Sequence, residues 1–597
     1  MNYRNLSPGE IATLKAQGNT ADSWDSILVT DGFDPSRLTN NRFGGEVRIG
    51  NMDNNNSTTQ QLNNSTPLPV GISGSWIIDS TIGINCAIHN VHYLNGYTIA
   101  NRVTLFNIDE MTYLADRKVW MEPMNENGGR RILPFPQMTV GDAYLWARFR
   151  GESVMVKRLE ELTTAHLDTP EGCMGAVHDD VVIKNSKYIC NVAFLQGAMA
   201  EQCIALRDGV VGIDCHLEHG IIAERFLLGE HVKLEFGLRL NDSVVGDNST
   251  LARCEVGNSI IFPAHEQHHN NSFLIAALVM GQSNVAAGGT LGSNHNSRTA
   301  DNELSCGRGF WPGLCVSVKH SSRFASNCLL AKADYPNELN ITLPFALVNN
   351  NAAKNQLEVM PAYWWMYNMY AMDRNSKKFA KRDKRRIKAQ HIEFDNLAPD
   401  TAEEIIIGRD LLHIWTEESY REGRTEVLAH GMEKGHRKTV ILKPGEAYKA
   451  YRDMLIYYAM NTLSGCHADT PTNGETAPRV TRWVNIGGQL VAEDDIQRLI
   501  SDIENGTLSS WEDIHGRFDQ LWESYPEQKR QHAYQVLCHL SQMKNLTDEE
   551  WARYESEYSR IKQFVADQKV LTRKKDDDNE FRHMTYWNDA EMHAVLD

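Results

Sequence analysis

The chain has 597 residues, 42% of them hydrophobic, with 60 Lys and Arg against 77 Asp and Glu, a formal net charge of −17. This length suggests about two to four structural units, and the composition is that of a globular protein. The acidic balance argues against nucleic acid as a partner, since a general binder needs a basic face, and no apolar run is long enough to span a membrane.

Met1 to Gly18 contains no apolar core of a signal peptide, and the 11 cysteines include no CxxC pair that would suggest a zinc ribbon or redox motif. A cytoplasmic protein with reduced thiols is expected. Ser7-Pro8-Gly9-Glu10 reads as a helix start, with strands following to residue 50. Residues 51–66 are too polar to pack and read as a loop. From about residue 70 an apolar residue recurs every six positions: Ile78, Ile84, one extra residue, then Val91, Tyr97 and Val103.

Residues 115–175 break that rhythm. Met138–Leu167 has helical spacing, with Leu145, Phe149, Val154, Leu159 and Leu162 on one face, and predicts a helical insertion projecting from the repeat. The six-residue step resumes at Ile183, Ile189 and Leu195, and locks in at Phe226, Val232, Leu238, Val244, Thr250 and Val256. It is interrupted near 263–277, then returns as Val279, Val285 and Leu291, and continues as Phe310, Val316, Ser322 and Cys328. Gly288-Gly289-Thr290-Leu291-Gly292 lies within the rhythm and reads as tight corner turns. Beyond residue 355, helical patterns cover Ala402–Tyr420, Gly445–Leu463, Ala492–Ile503, Trp511–Trp522 and Asp548–Gln568.

A six-residue period suits a chain that turns a corner every hexapeptide, three to a coil of 18. A single coil cannot bury its own apolar corner, so coils stack. The expected fold is mainly β plus α: a left-handed parallel β-helix, continuous across both repeat blocks, with a helical insertion and an α-helical C-terminal region. The boundaries are 1–114 for the N-terminal segment and first coils, 115–178 for the insertion, 179–354 for the main β-helix and 355–597 for the helical region.

These hexapeptide blocks resemble the left-handed β-helix superfamily of acyltransferases and sugar-nucleotide enzymes, over about 200–250 residues. Over its whole length the chain is also similar to a family of large uncharacterised hexapeptide-repeat proteins from gut bacteria. The superfamily resemblance implies trimers, with sites between neighbouring helices. It also implies acyl transfer from coenzyme A or a carrier protein by a histidine base. No nucleotide loop matches GxxxxGK[ST], so the nucleotidyltransferase branch of that superfamily fits poorly.

The densest reactive cluster is Pro263 to Asn271, at the interruption, where a loop thrown out from the coil is free to build a site. His265, His268, His269, Asn270 and Asn271 lie there. Asn294, His295, Asn296 and Arg298 follow, then Arg308, Lys319 and His320, at steps that stack on one face of 18-residue coils. A neutral imidazole can deprotonate an acceptor hydroxyl near pH 7, and amides and cations can hold an oxyanion, a sugar or a phosphate. The expectation is a transferase acting on a sugar or sugar-phosphate, an acyltransferase first. His295 or His269 is the base and the other residues named hold substrate. The sequence leaves the cofactor and the acyl donor open, with a coenzyme A thioester the first candidate and a divalent metal behind it.

The alternatives are a scaffold or sugar-ligand binder without catalysis, and a metal-dependent lyase or hydrolase using His265–His269. His265-Glu266-Gln267-His268-His269 matches HExxH, but it sits in a strand-rich repeat rather than on a helix. His89 and His92 read as surface decoration. The basic run Lys377–Lys388 reads as a helix face paired with acidic neighbours, or less readily as a phosphate contact. Tyr363–Tyr370 reads as the apolar seam between solenoid and helical region.

Overall fold

Between Thr20 and Ile341 successive strands of the solenoid pair in parallel, coil upon coil, apart from the antiparallel pairs Gln60–Leu62 with Thr66–Leu68 and Tyr3–Asn5 with Leu28–Thr30. The computed structural model describes residues 2–52, 60–62, 66–115, 117–293, 300–464, 478–577 and 579–596. They form a mixed β plus α chain: a parallel β-solenoid of about 18 turns with a helical C-terminal region. The helix Pro8–Ala16 opens it, capped by Ser7 with Glu10 completing the reciprocal cap.

The main coil has 17 residues rather than 18. Tyr188 pairs with Ala205, Ala205 with Ile222 and Ile222 with Arg239. The corners explain the count. Asp208, Asp214, His219, Arg225, His231, Phe236, Asp242, Asn248 and Arg253 all have positive φ, and their positions step by six, five and six residues. Asn and Asp tolerate this conformation through local hydrogen bonds. Arg225, His231 and Phe236 are held in it by the coils on either side. The repeat lengthens to 18 where Cys254 pairs with Ser272.

This count corrects the six-residue rhythm, which slips one position per coil. Phe226 stacks between Gly209 and Ser243, not under Val244. Gly209 is required there, since a Cβ would stand 2.5 Å from the Phe226 ring. Val244 points outward instead. It belongs to a column, Val210, Leu227, Val244, Ile260 and Leu278, in register across successive coils.

That outward column is buried by the insertion. Both repeat blocks are one solenoid: Thr104 pairs with Val182 and Glu110 with Tyr188, so the intervening chain is a detour from a single coil. The detour does not project. Its helices Val140–Arg148 and Ser153–Leu167 lie back on the solenoid, with Tyr144 edge-on to Phe262 at 5.2 Å. The helices Glu493–Glu504 and Trp511–Ser541 close over them. Each large apolar side chain buried there contributes roughly 1.5–3 kcal/mol. Val154, expected on the buried face, is 58% exposed.

The helical region follows the sequence pattern at Pro399–Arg421, Pro444–Thr462 and Asp548–Asp577, but the helix from Trp511 runs on to Ser541. It also carries strands that the pattern did not reveal. Gln356–Met360 folds back on Leu347–Asn351, and Lys438–Ile441 adds to it in parallel. This caps the open end of the stack, as a solenoid requires. Trp364 packs on Trp311 of the solenoid and Trp365 on Tyr457, so the aromatic run is a seam.

The basic run is a strap across four coils. Lys378 and Arg382 meet Glu266, and Arg385 meets Asp247. Arg386 meets Asp214, and Glu230 accepts the backbone N–H groups of Arg386, Ile387 and Lys388. Lys378, Arg382, Arg385 and Arg386 are therefore committed to the solenoid edge, whereas Lys377 pairs with Asp373 on its own helix. Gly288 and Gly292 are corner residues with φ of +70° and +91°. Among the described residues no helix is long and apolar enough to cross a membrane.

Candidate functional site

Of the residues expected to form one cleft, those that the structure describes are each engaged with partners of their own or lie exposed at a corner. His265 points into the solenoid, fully buried, bonded to Ser283 Oγ at 2.8 Å and Gln267 Oε1 at 3.1 Å. Burial pushes its imidazole down to about 4. It is a core histidine, because Glu266–Gln267 is a strand in register with Thr250–Leu251 rather than part of a loop thrown out. His268 sits 3.3 Å from Glu266 and against the exposed His269, with ring centroids 4.4 Å apart. Asn270 and Asn271 are exposed at the adjoining corner. HExxH is thus read on a strand and corner, with His265 facing away from His268 and His269, which disfavours a shared metal centre.

Lys319 is paired with Glu338 at 2.8 Å, and His320 Nδ1 accepts from the Asn302 backbone at 3.0 Å. Asn294, His295, Asn296 and Arg298 lie outside the described residues. His89 is bonded to Ser73 and the Pro69 carbonyl, and His92 is exposed near Asp109.

Arg308 leads to a different place. It is buried and makes two 2.8 Å bonds to Asp400, and it also donates to the Asp395 carbonyl at 2.9 Å. Asp400 stands in the first turn of the helix Pro399–Arg421, where Pro399 presets the backbone and the helix dipole favours negative charge. Asp400, Glu403 and Glu404 have i, i+3, i+4 spacing, which puts all three carboxyls on one face. That face is turned to the seam. Glu404 accepts from the Ser326 backbone at 2.9 Å, and burial, with Asp400 nearby, raises its carboxyl from 4.5 to about 7.

Opposite stands the helix Trp511–Ser541, presenting Tyr525, Lys529 and His532 one turn apart. Tyr525 donates to Glu393 at 2.5 Å, and Lys529 bridges Glu393 and Asp395 at 2.7 Å each. Burial alone would depress the Lys529 ammonium, but the two carboxylates outweigh it and raise it. His532 lies between two partners. Its Nε2 is 3.0 Å from Glu403 and its Nδ1 is 2.9 Å from the Tyr458 hydroxyl. With Glu403 accepting from Nε2–H, Nδ1 is the acceptor of the Tyr458 proton. Burial lowers the His532 imidazole, keeping it neutral and able to take a proton, and raises the Tyr458 phenol well above its usual value. Arg479 approaches Glu403 at 3.1 Å.

Tyr458 also belongs to the wall of a cavity of about 270 Å³. Four helices enclose it: Tyr363–Tyr367, Met369–Lys381, Pro444–Thr462 and Asp548–Asp577. The link Asp395–Leu397 closes one side. Its lining mixes aromatic, amide and charged groups, as sites for small polar ligands do. Asp395 and Tyr458 each belong both to the cavity wall and to the buried charge network, so the two are contiguous. A cluster of perturbed ionisable groups beside a cavity is a candidate functional site. The signal for this site was present in Pro-Asp-Thr-Ala-Glu-Glu at 399–404, where acidic residues share the buried face of a helix with Ile405 and Ile406.

The geometry defines a class: a parallel β-solenoid whose end carries a helical region, with an ionisable site at their junction. Residues 3–415 match the family described as Domain of unknown function (DUF4954), and the chain belongs to that family. Residues 470–583 match a second family, described as Domain of unknown function (DUF6819). An "Uncharacterized protein" from Treponema pallidum (strain Nichols) is 40% identical over 655 aligned positions, covering 100% of this chain and 90% of the relative. The site straddles the two matched regions. Arg308, Glu393, Asp400, Glu403 and Glu404 come from the first, Tyr525, Lys529 and His532 from the second, and Tyr458 from the stretch between.

Proposed function

We propose that the chain is a transferase that places a group, an acyl group first, on a hydroxyl of a small sugar or sugar-phosphate held in the seam cavity. The observation that carries this reading is the chain Tyr458–His532–Glu403, which starts at the cavity wall and ends at a buried carboxylate. As the acceptor hydroxyl attacks, its proton passes to the Tyr458 oxygen while the Tyr458 proton passes to His532 Nδ1. The resulting imidazolium is stabilised by Glu403, and as the C–S bond of the acyl thioester breaks, the proton returns through Tyr458 to the departing thiolate. A base positioned in this way is worth about 10²–10⁴ in rate. The volume suits a monosaccharide rather than a whole coenzyme, since ligand sites run from roughly 300 to 1,000 Å³. In this reading the solenoid serves as frame, and the proton goes to His532 rather than to His269, which is exposed on a solenoid corner.

The test is turnover of acetyl-coenzyme A with a panel of sugars and sugar phosphates, together with ligand-dependent melting. Tyr458→Phe removes the relay hydroxyl while keeping the ring. Turnover lost about 10²-fold or more with ligand stabilisation retained supports the reading. Ligand stabilisation with no turnover in the native protein moves the assignment to a sugar-ligand binder. Turnover unchanged in both Tyr458→Phe and His532→Gln would overturn the relay.

A further inference from the structure

The cavity whose wall carries Tyr458 is also lined by two ammonium groups. Lys377 and Lys569 come from different helices, Met369–Lys381 and Asp548–Asp577, yet both reach Asp373, at 2.9 and 2.6 Å. Asp373 is held below the usual carboxylate range: burial opposes the shift, and the bonds from the two lysines overcome it. It therefore stays ionised, and two positive charges face one negative charge. The other carboxylate of the lining, Asp395, is taken by Lys529. Lys529 serves Glu393 as well as Asp395; of the two lysines on Asp373, Lys569 is the more buried and Lys377 stands at the open rim, its side chain 72% exposed.

The donors are not used up. Each ammonium has three N–H groups, and Asp373 accepts from each lysine once, which leaves both able to bind a further anion. Asp373 fixes the two side chains at one spot, so little ordering remains for a ligand to impose. The remaining wall offers amides. The Asn461 carbonyl oxygen is engaged by Tyr558 and the Asn396 amide nitrogen by the Met372 carbonyl, which leaves Asn461 Nδ2 and Asn396 Oδ1 for hydroxyl groups. Trp365 and Tyr457 supply an apolar wall.

Accepting that the cavity binds a small hydroxylated ligand, we infer that Lys377 and Lys569 form its anion subsite and that the ligand is a phosphate monoester of a sugar. The phosphate lies across the two ammonium groups, and the ring lies toward Asn396, Asn461 and Tyr458. A carboxylate shares the charge of such a group but carries only one unit of it and fewer acceptor oxygens, so a sugar acid binds more weakly.

The experiment measures melting and calorimetric binding on the full chain at constant ionic strength, with inorganic phosphate, glucose, glucose 6-phosphate and glucuronate as probes. Four proteins are compared: native, Lys377→Gln/Lys569→Gln, Lys377→Arg/Lys569→Arg, and Ser376→Trp, which fills the cavity. The expected result is stabilisation by inorganic phosphate. Glucose 6-phosphate should bind at least about ten-fold more tightly than glucose or glucuronate. That preference should vanish in the Gln pair and survive in the Arg pair, while Ser376→Trp binds none of the probes.

If glucose and glucose 6-phosphate bind alike to the native protein and the Gln pair, while Ser376→Trp blocks both, the anion subsite is overturned and the cavity reading stands. If glucuronate matches glucose 6-phosphate, the phosphate assignment is overturned. If Ser376→Trp binds the probes as the native protein does, or if neither sugar nor phosphate binds the native protein, both readings fall.

Discussion

The middle coils of the solenoid and its junction with the helical region use polar residues in opposite ways. Between Tyr188 and Val256 the coil interior is mostly apolar, the corners are single left-handed residues, and charged groups stand outside in columns such as Glu201, Glu218 and Glu235, the buried carboxylates being confined to the corners and the strap, as at Asp208, Asp242 and Asp247. A regular coil commits every inward position to its neighbours above and below, and so has little freedom to host chemistry. At the junction the stacking rule has ended, and Arg308, Glu393, Glu403, Glu404, His532 and Tyr458 are all buried or nearly so. Buried charges are expensive unless paired. Assembling this many at one seam, beside a cavity, is a cost that the fold carries elsewhere with apolar stacking. The contrast teaches where to look in a solenoid: at the place where repetition stops.

Three measurements break or sharpen this contrast. The largest effect is expected from Arg308→Ala. It leaves Asp400 without its partner and should lower stability by about 3–5 kcal/mol in urea denaturation. Because the strain falls on the junction, hydrogen exchange in the coils around Ala205 and Ile222 should change far less than exchange in the helix Pro399–Arg421. Equal loss of protection in both would show that the two regions are one cooperative unit.

A middle-sized effect concerns pH. The Glu404 carboxyl is raised from 4.5 to about 7, so the folded state holds its proton more tightly than the unfolded chain does. Stability from this group is therefore highest below 4.5, falls as pH rises between 4.5 and about 7, and is level above that. The fall amounts to roughly 3 kcal/mol. Glu404→Gln should remove the slope from a plot of unfolding free energy against pH, and an unaltered slope would place its origin in another group. The smallest effect is expected from His269→Ala, within about 0.5 kcal/mol as for other exposed substitutions, with melting and ligand binding unchanged. A loss of binding there would return the site to the solenoid corner.

The solenoid was legible because its inward residues repeat. The positions from Phe310 to Cys328 that continued the rhythm are all buried, Ser322 included. The 17-residue coil was not legible, since a run such as Phe226 to Val244 passes from an inward position to an outward one that is equally apolar. Val244 is apolar because the insertion covers it, and periodicity cannot tell which neighbour buries a side chain. The site was harder still. Tyr458, His532 and Glu403 lie 55 to 129 positions apart in sequence, and only tertiary packing joins them. The His-rich segment drew attention because it was dense, yet His265 is dense in sequence and isolated in space. Among the expected site residues that the structure describes, Arg308 lies at the seam, and there it grips the helical region through Asp400.

The strap from Lys378 to Lys388 has a mechanical meaning. A stack whose members touch only their neighbours can peel from one end, one coil at a time. Here Asp214, Glu230, Asp247 and Glu266, one from each of four successive coils, are tied to a single stretch of chain. It works as a splint does, so those coils cannot peel singly and must let go of the strap together. Pulled from its ends in a force experiment, the solenoid should give way in small steps up to these coils and then resist as a block.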